Sequence, residues 1–150
     1  MKKTFLLLIA SVLLLISCGP KKVVESKYKN GNPIVVKYYD RINGKDVVVK
    51  EVVYYENKEK KMEGEYEDMK RKGQWTAWYN NGKVWSIGEY KEGKRNGPGI
   101  VYHPNGRKYI ESFYTNDEKT GKWRFFDTTG LMIKEVNFDS ILKTKADTIK

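Results

Sequence analysis

One cysteine, one histidine and four prolines are all that 150 residues hold of those types. A lone cysteine, Cys18, excludes an internal disulfide, a CxxC redox pair and a cysteine-rich zinc site. A lone histidine, His103, excludes a histidine-based metal cluster; beside Pro104, Asn105 and Gly106 it reads as a turn-flanking surface residue. No Gly-x-Ser-x-Gly elbow, His-Glu-x-x-His helix or phosphate-cradling glycine loop occurs. The acidic pairs Glu63/Glu65 and Asp117/Glu118 stand among lysines, the setting of a solvated surface rather than of general acid and base work. No catalytic residue, metal or cofactor is therefore expected. Long apolar runs are missing too. Residues 5–16 form a 12-residue stretch, whereas a membrane-crossing helix needs roughly 20.

That short stretch has an anatomy of its own. Lys2 and Lys3 precede it, and Leu15-Ile16-Ser17-Cys18 closes it, which is the layout of a cleaved export signal. The closing tetrapeptide resembles the lipobox of bacterial lipoproteins, which implies cleavage before Cys18 and a lipid on its sulfur. Two or more acyl chains make such an anchor stable, at ~0.8 kcal/mol per buried methylene. The expected location is a bacterial cell envelope, on the outer membrane in a Gram-negative host because Gly19, not Asp, follows the cysteine. Without Lys2 and Lys3 the balance is 27 Lys plus Arg against 19 Asp plus Glu, or +8. An exported basic protein meets anionic lipid, acidic glycan and acidic protein, so nucleic acid is not an expected partner.

What the chain has in quantity is glycine and aromatic residues, and both recur with a fixed step. Gly73-Gln74-Trp75-Thr76-Ala77-Trp78 is answered at 97–102 and again at 121–126, each 24 residues on. The same step carries Gly82 to Gly106 to Gly130, and Tyr66 to Tyr90 to Tyr114 to Phe138. A worn copy places Tyr54 and Tyr55 under Trp78 and Tyr79, while Tyr28, Asn30-Gly31 and Asn43-Gly44 suggest one more, out of register. Within a unit, residues 74–79 and 84–90 read as strands. Asn81-Gly82 between them is the signature of a type I′ hairpin turn. A lone hairpin is marginal in water, so the units are expected to pair laterally. The fold class is all-β: one elongated antiparallel sheet of stacked hairpins. The organisation expected is a signal at 1–17, a flexible lipidated linker at 18–27, a degenerate repeat at 28–48, the repeat domain at 49–138 and a tail at 139–150.

The pattern Gly-x-Trp-x-x-Trp/Phe, then Asn/Thr-Gly, then Tyr resembles the MORN repeat variant of the bacterial YwqK family. Gly73, Trp75, Gly82, Tyr90, Gly121 and Trp123 carry the resemblance. The sequence departs from it at Gly99, where an aromatic is missing, and at Lys58, where the turn glycine is. The resemblance implies stacked hairpins and an antitoxin-like role.

Two groups of residues are candidates for binding. Trp78, Tyr102 and Phe126 would form an apolar ladder on one face with Trp85 and Tyr109 nearby, and exposed patches of that kind mark interaction sites. Lys70 and Arg71, then Lys94 and Arg95, stack cations along one edge, with Lys83, Arg107 and Lys108 at the other. Near an anchored membrane each such cation is worth ~1 kcal/mol against anionic headgroups. The reading is non-catalytic: a protein-interaction or membrane-proximal scaffold whose partner is a protein, acidic by charge. An antitoxin or immunity protein, or a glycan-binding protein, is the alternative.

Overall fold

The computed structural model describes residues 19–141. It is one open sheet of ten antiparallel strands in chain order: β1 (Lys21–Lys27), β2 (Pro33–Ile42), β3 (Lys45–Tyr54), β4 (Lys60–Glu67), β5 (Lys70–Trp78), β6 (Val84–Lys91), β7 (Lys94–Tyr102), β8 (Lys108–Thr115), β9 (Glu118–Phe126) and β10 (Met132–Asn137). The expected fold class is the observed one. Among the described residues helix is confined to a single turn at 138–141. Cys18 lies outside the described residues, as do residues 142–150 of the expected tail.

Two kinds of turn alternate along the ribbon, and they are placed differently from expectation. A type I′ turn needs positive φ at both central residues, but at Asn81-Gly82 only Gly82 has it, at 78°. Here the Gly82 amide donates to the Tyr79 carbonyl and the Tyr79 amide to the Lys83 carbonyl. That is a three-residue loop closed by a left-handed glycine. The side chain of Asn81 accepts the Lys83 amide at 3.1 Å, which holds Asn81 right-handed. The paired positive φ values fall instead at the other ends of the strands, at Asn43-Gly44, Asp68-Met69, Glu92-Gly93 and Asn116-Asp117. Asn-Gly is ambiguous between these two loops, and only strand length, which sequence pattern reads poorly, separates them.

Residues 21–27, expected within a linker, form β1. Val23 and Val24 suit an extended chain, Val24 stands opposite Val36, and the Tyr39 hydroxyl donates to Glu25 at 2.6 Å. The out-of-register first copy also takes its place. Tyr28 and Gly31 make the same loop as Tyr79 and Gly82. β2 and β3 are ten residues each, longer than the strands that follow, which accounts for the broken period.

A single layer buries little. Among the described residues only Val36, Val52, Trp75 and Trp123 are fully buried hydrophobics, at 1 to 6% exposure. Cohesion comes from a bond that recurs between hairpins. The hydroxyls of Tyr28, Tyr55 and Tyr79 donate to the carbonyls of Tyr54, Trp78 and Tyr102 at 3.0, 2.9 and 2.7 Å. His103 takes the next place, its Nε2 at 3.0 Å from the Phe126 carbonyl. It flanks a turn as expected, yet it also ties one hairpin to the next. Among the described residues no buried side-chain polar atom lacks a partner.

Candidate binding face: an interrupted aromatic ladder

Strand register sets one row of residues straight across the sheet. Gly64 on β4 is followed by Trp75 on β5, which faces Gly88 on β6; Gly88 faces Gly99 on β7, Gly99 faces Ser112 on β8, and Trp123 on β9 faces Val136 on β10. The glycine beside Trp75 is required by space: a Cβ on Gly64 would sit 2.2 Å from the indole. Each indole also donates from Nε1 to the preceding strand, Trp75 to the Glu65 carbonyl at 3.2 Å and Trp123 to the Phe113 carbonyl at 3.1 Å.

Both tryptophans are clasped between rings. Trp75 meets Tyr66 at 5.3 Å and Tyr90 at 6.1 Å, edge on. Trp123 meets Tyr114 at 5.1 Å and Phe138 at 5.1 Å in the same manner. Such edge-to-face pairs add about 0.5–1.5 kcal/mol beyond burial. A cation covers each indole: the Arg71 guanidinium lies 4.1 Å from the centre of Trp75, and the Lys119 ammonium 4.9 Å from that of Trp123.

Between the two clasps the ladder is broken. Gly99 stands at the tryptophan position of the middle repeat, and its neighbours Gly88 and Ser112 are small as well. The result is an open depression of about 310 Å³ bounded by Trp75, Tyr90, Arg95, Tyr114 and Trp123. Arg95 occupies the place that Arg71 holds over Trp75, but no indole lies beneath it. It donates to the Tyr114 hydroxyl at 2.9 Å and stays exposed. The nearby Tyr90 and Tyr114 hydroxyls raise its pKa, against a smaller loss from burial.

The expected binding residues are divided by this geometry. Trp85 lines the depression and packs on Tyr79 at 6.4 Å, and Tyr109 packs on His103 at 4.6 Å. Both are well exposed, at 48% and 41%. Trp78 alternates to the opposite face, where the Lys60 ammonium lies 5.7 Å from its ring. Tyr102 and Phe126 hold the matching positions and are half-buried like Trp78. Five residues expected as one patch thus lie in two groups, because a bulge after Ala77 turns Trp85 away from Trp78.

The cation strip also separates. Lys70 and Lys94 stay exposed at the strand ends beside the two-residue turns, while Arg71 and Arg95 fold inward over the rings. On the far face the charges pair: Lys50 and Lys60 with Glu63, Lys108 and Arg124 with Glu111, Lys122 and Arg124 with Glu135. Among the described residues no group of three or more His, Cys, Asp or Glu side chains is placed to hold a metal ion.

The missing aromatic at Gly99 is legible in the sequence, whereas the depression is not. The signal lay in a second spacing: Gly64, Gly88 and Ser112 each precede the tryptophan position by 11 residues. Only strand register shows that the two spacings meet on one row.

Known proteins resemble the chain in part. Among solved structures, a mutant of S. aureus TarM in complex with fondaparinux, α-GlcNAc-glycerol and UDP is 19% identical, with a TM-score of 0.47 over 79% of this chain and 21% of that one. A glycosylation associate protein complex from Streptococcus agalactiae is 13% identical, with a TM-score of 0.43 over 74% of this chain and 19% of that one. The chain thus spans about a fifth of the length of each. No curated protein matches it. Residues 71–92, which run from Arg71 through the β5–β6 hairpin to Glu92, match the family described as MORN repeat variant, so the chain carries at least one repeat of that kind.

Proposed function

We propose that the protein is a non-catalytic lipoprotein of the bacterial envelope, tethered through Cys18, whose ribbon is a protein-interaction scaffold. The observation that carries the reading is the uncovered aromatic face. Trp85, 48% exposed, lines a depression walled by rings and guanidinium groups, and Tyr109 is 41% exposed. Trp, Tyr and Arg are the residues that dominate protein interfaces. The lipobox-like Leu15-Ile16-Ser17-Cys18 supports the tether and Gly19 the outer membrane. A YwqK-type antitoxin or immunity protein would use the same surface, and the balance of +8 left after cleavage, 27 Lys plus Arg against 19 Asp plus Glu, favours an acidic partner in either case.

Two measurements test the proposal together. Labelled palmitate should enter the wild-type protein and not a Cys18→Ser variant. A photo-crosslinking residue at position 85 should capture a discrete protein in intact cells, and the same residue at position 124, on the far face, should capture much less. Equal capture from both faces, or only lipid and polysaccharide adducts, would overturn the scaffold reading.

A further inference from the structure

We propose that the interruption at Gly99 is a slot for one aromatic side chain, presented by an acidic segment of a partner protein. The inference rests on the scaffold reading and names the chemistry of the partner.

The repeat itself shows what fits there. In the units on either side, an indole lies across the sheet between two flanking rings and under a cation. In the middle unit the flanking rings are present as Tyr90 and Tyr114, the cation as Arg95, and the floor as Gly88, Gly99 and Ser112; the indole alone is missing. The depression of about 310 Å³ exceeds the roughly 150 Å³ that accommodates benzene in an apolar cavity. Ser112 donates to the Gly99 carbonyl at 3.0 Å, so the floor presents little unsatisfied polarity to a ring.

Charge selects what accompanies the ring. Among the described residues neither Arg71 nor Arg95 takes part in an ion pair, although acidic side chains on the far face are paired. Two unpaired guanidinium groups bracket the slot from one side. A carboxylate next to the inserted ring would meet them in the bidentate fashion that guanidinium favours. A sugar acid would satisfy the charge, but its puckered, hydroxylated ring would leave donors facing apolar walls.

The test uses the full chain in detergent and four probes: the blocked peptides Glu-Asp-Trp-Glu-Asp, Glu-Asp-Ala-Glu-Asp and Lys-Gln-Trp-Gln-Lys, and hexagalacturonate. Calorimetry reads affinity, and the amide signals of Gly88 and Gly99 read the place. The acidic tryptophan peptide should bind and shift both signals, and the other two peptides should bind at least about ten-fold more weakly. Arg95→Gln should weaken the acidic tryptophan peptide about five-fold. Gly99→Trp fills the slot from within. Because a Cβ on Gly99 would meet the Ser112 Oγ at 2.7 Å, it is combined with Ser112→Gly, which recreates the glycine neighbours of Trp75. This double variant should lose binding; if circular dichroism shows it unfolded, Arg95→Gln and Tyr114→Ala decide instead. Equal binding of the alanine peptide, binding of hexagalacturonate in place of peptide, no binding by any probe, or binding retained in the filled variant would each overturn the slot. Crosslinking from position 85 that survives in the filled variant would remove the slot while leaving the scaffold reading in place; loss of all crosslinking in the wild type would remove both.

Discussion

The hydroxyl of Tyr79 donates to the carbonyl of Tyr102 at 2.7 Å, reaching across β6 from one hairpin to the end of the next. The same bond is made one step earlier by Tyr55 and one step later by His103. It satisfies a carbonyl at the strand end, where the ladder has no further partner to offer.

Tyr79→Phe should therefore destabilise the protein by about 1 kcal/mol, the net value of one such bond. Tyr79→His should keep most of the stability, as His103 does in its own repeat. Denaturant melts with an unchanged m-value would read both.

Lys58 holds the left-handed place that glycine fills at 82, 106 and 130, with φ at 70°. A side chain there costs roughly 1–2 kcal/mol. Lys58→Gly should raise the melting temperature, and Met69→Gly, at φ 60° and 83% exposed, should do the same. A lower melting temperature for both would show that the strain is relieved elsewhere.

Trp75→Ala and Trp123→Ala should each cost ~3–5 kcal/mol, the usual range for a buried tryptophan. Trp85→Ala should cost much less, because its ring is half in solvent, and should act on binding instead. Gly64→Ala should behave like the loss of Trp75, since the added methyl occupies the place of the indole. Thermal melts of the four variants in parallel give the ranking.

Acid should weaken the far face. The Glu111 pKa is lowered first by its hydrogen bond from Lys108 and then, against a loss from burial, by Arg124; that of Glu135 is lowered by Lys122 and Arg124. A carboxylate held below its unfolded value stabilises the fold above the ordinary glutamate range of about 4.3. That contribution is lost as pH falls through the depressed value. Melting temperature should thus be flat above that range and drop below it, with a shallower drop in Glu111→Gln. High salt should shrink the effect, because these pairs are exposed.

Much of this was legible in the residues and some was not. The period, the strand pairs and the stacking followed from glycine and aromatic spacing, since those residues report local backbone needs. The location of the type I′ turns did not, because Asn43-Gly44 and Asn81-Gly82 share one dipeptide and form different loops. β1 was not legible because it precedes the first Tyr and Asn-Gly pair and carries no ring of its own; Val24 opposite Val36 and the Tyr39–Glu25 bond hold it. The binding face was half legible. Trp85 and Tyr109 are on it, whereas Trp78, Tyr102 and Phe126 are on the reverse, because a bulge shifts the alternation after Ala77. The slot at Gly99 was legible only as a missing aromatic and an 11-residue spacing of small residues; that three of these meet side by side follows from the register of three strands.

Among the described residues every strand is hydrogen-bonded in the sheet only to its neighbours in the chain, so the ribbon has no keystone. Tension drawn from β1 toward β10 would load the outermost strand of either end first and release the sheet rung by rung, as a zipper opens. The protein would yield gradually to a pull along its length, lengthening while the inner units keep their form.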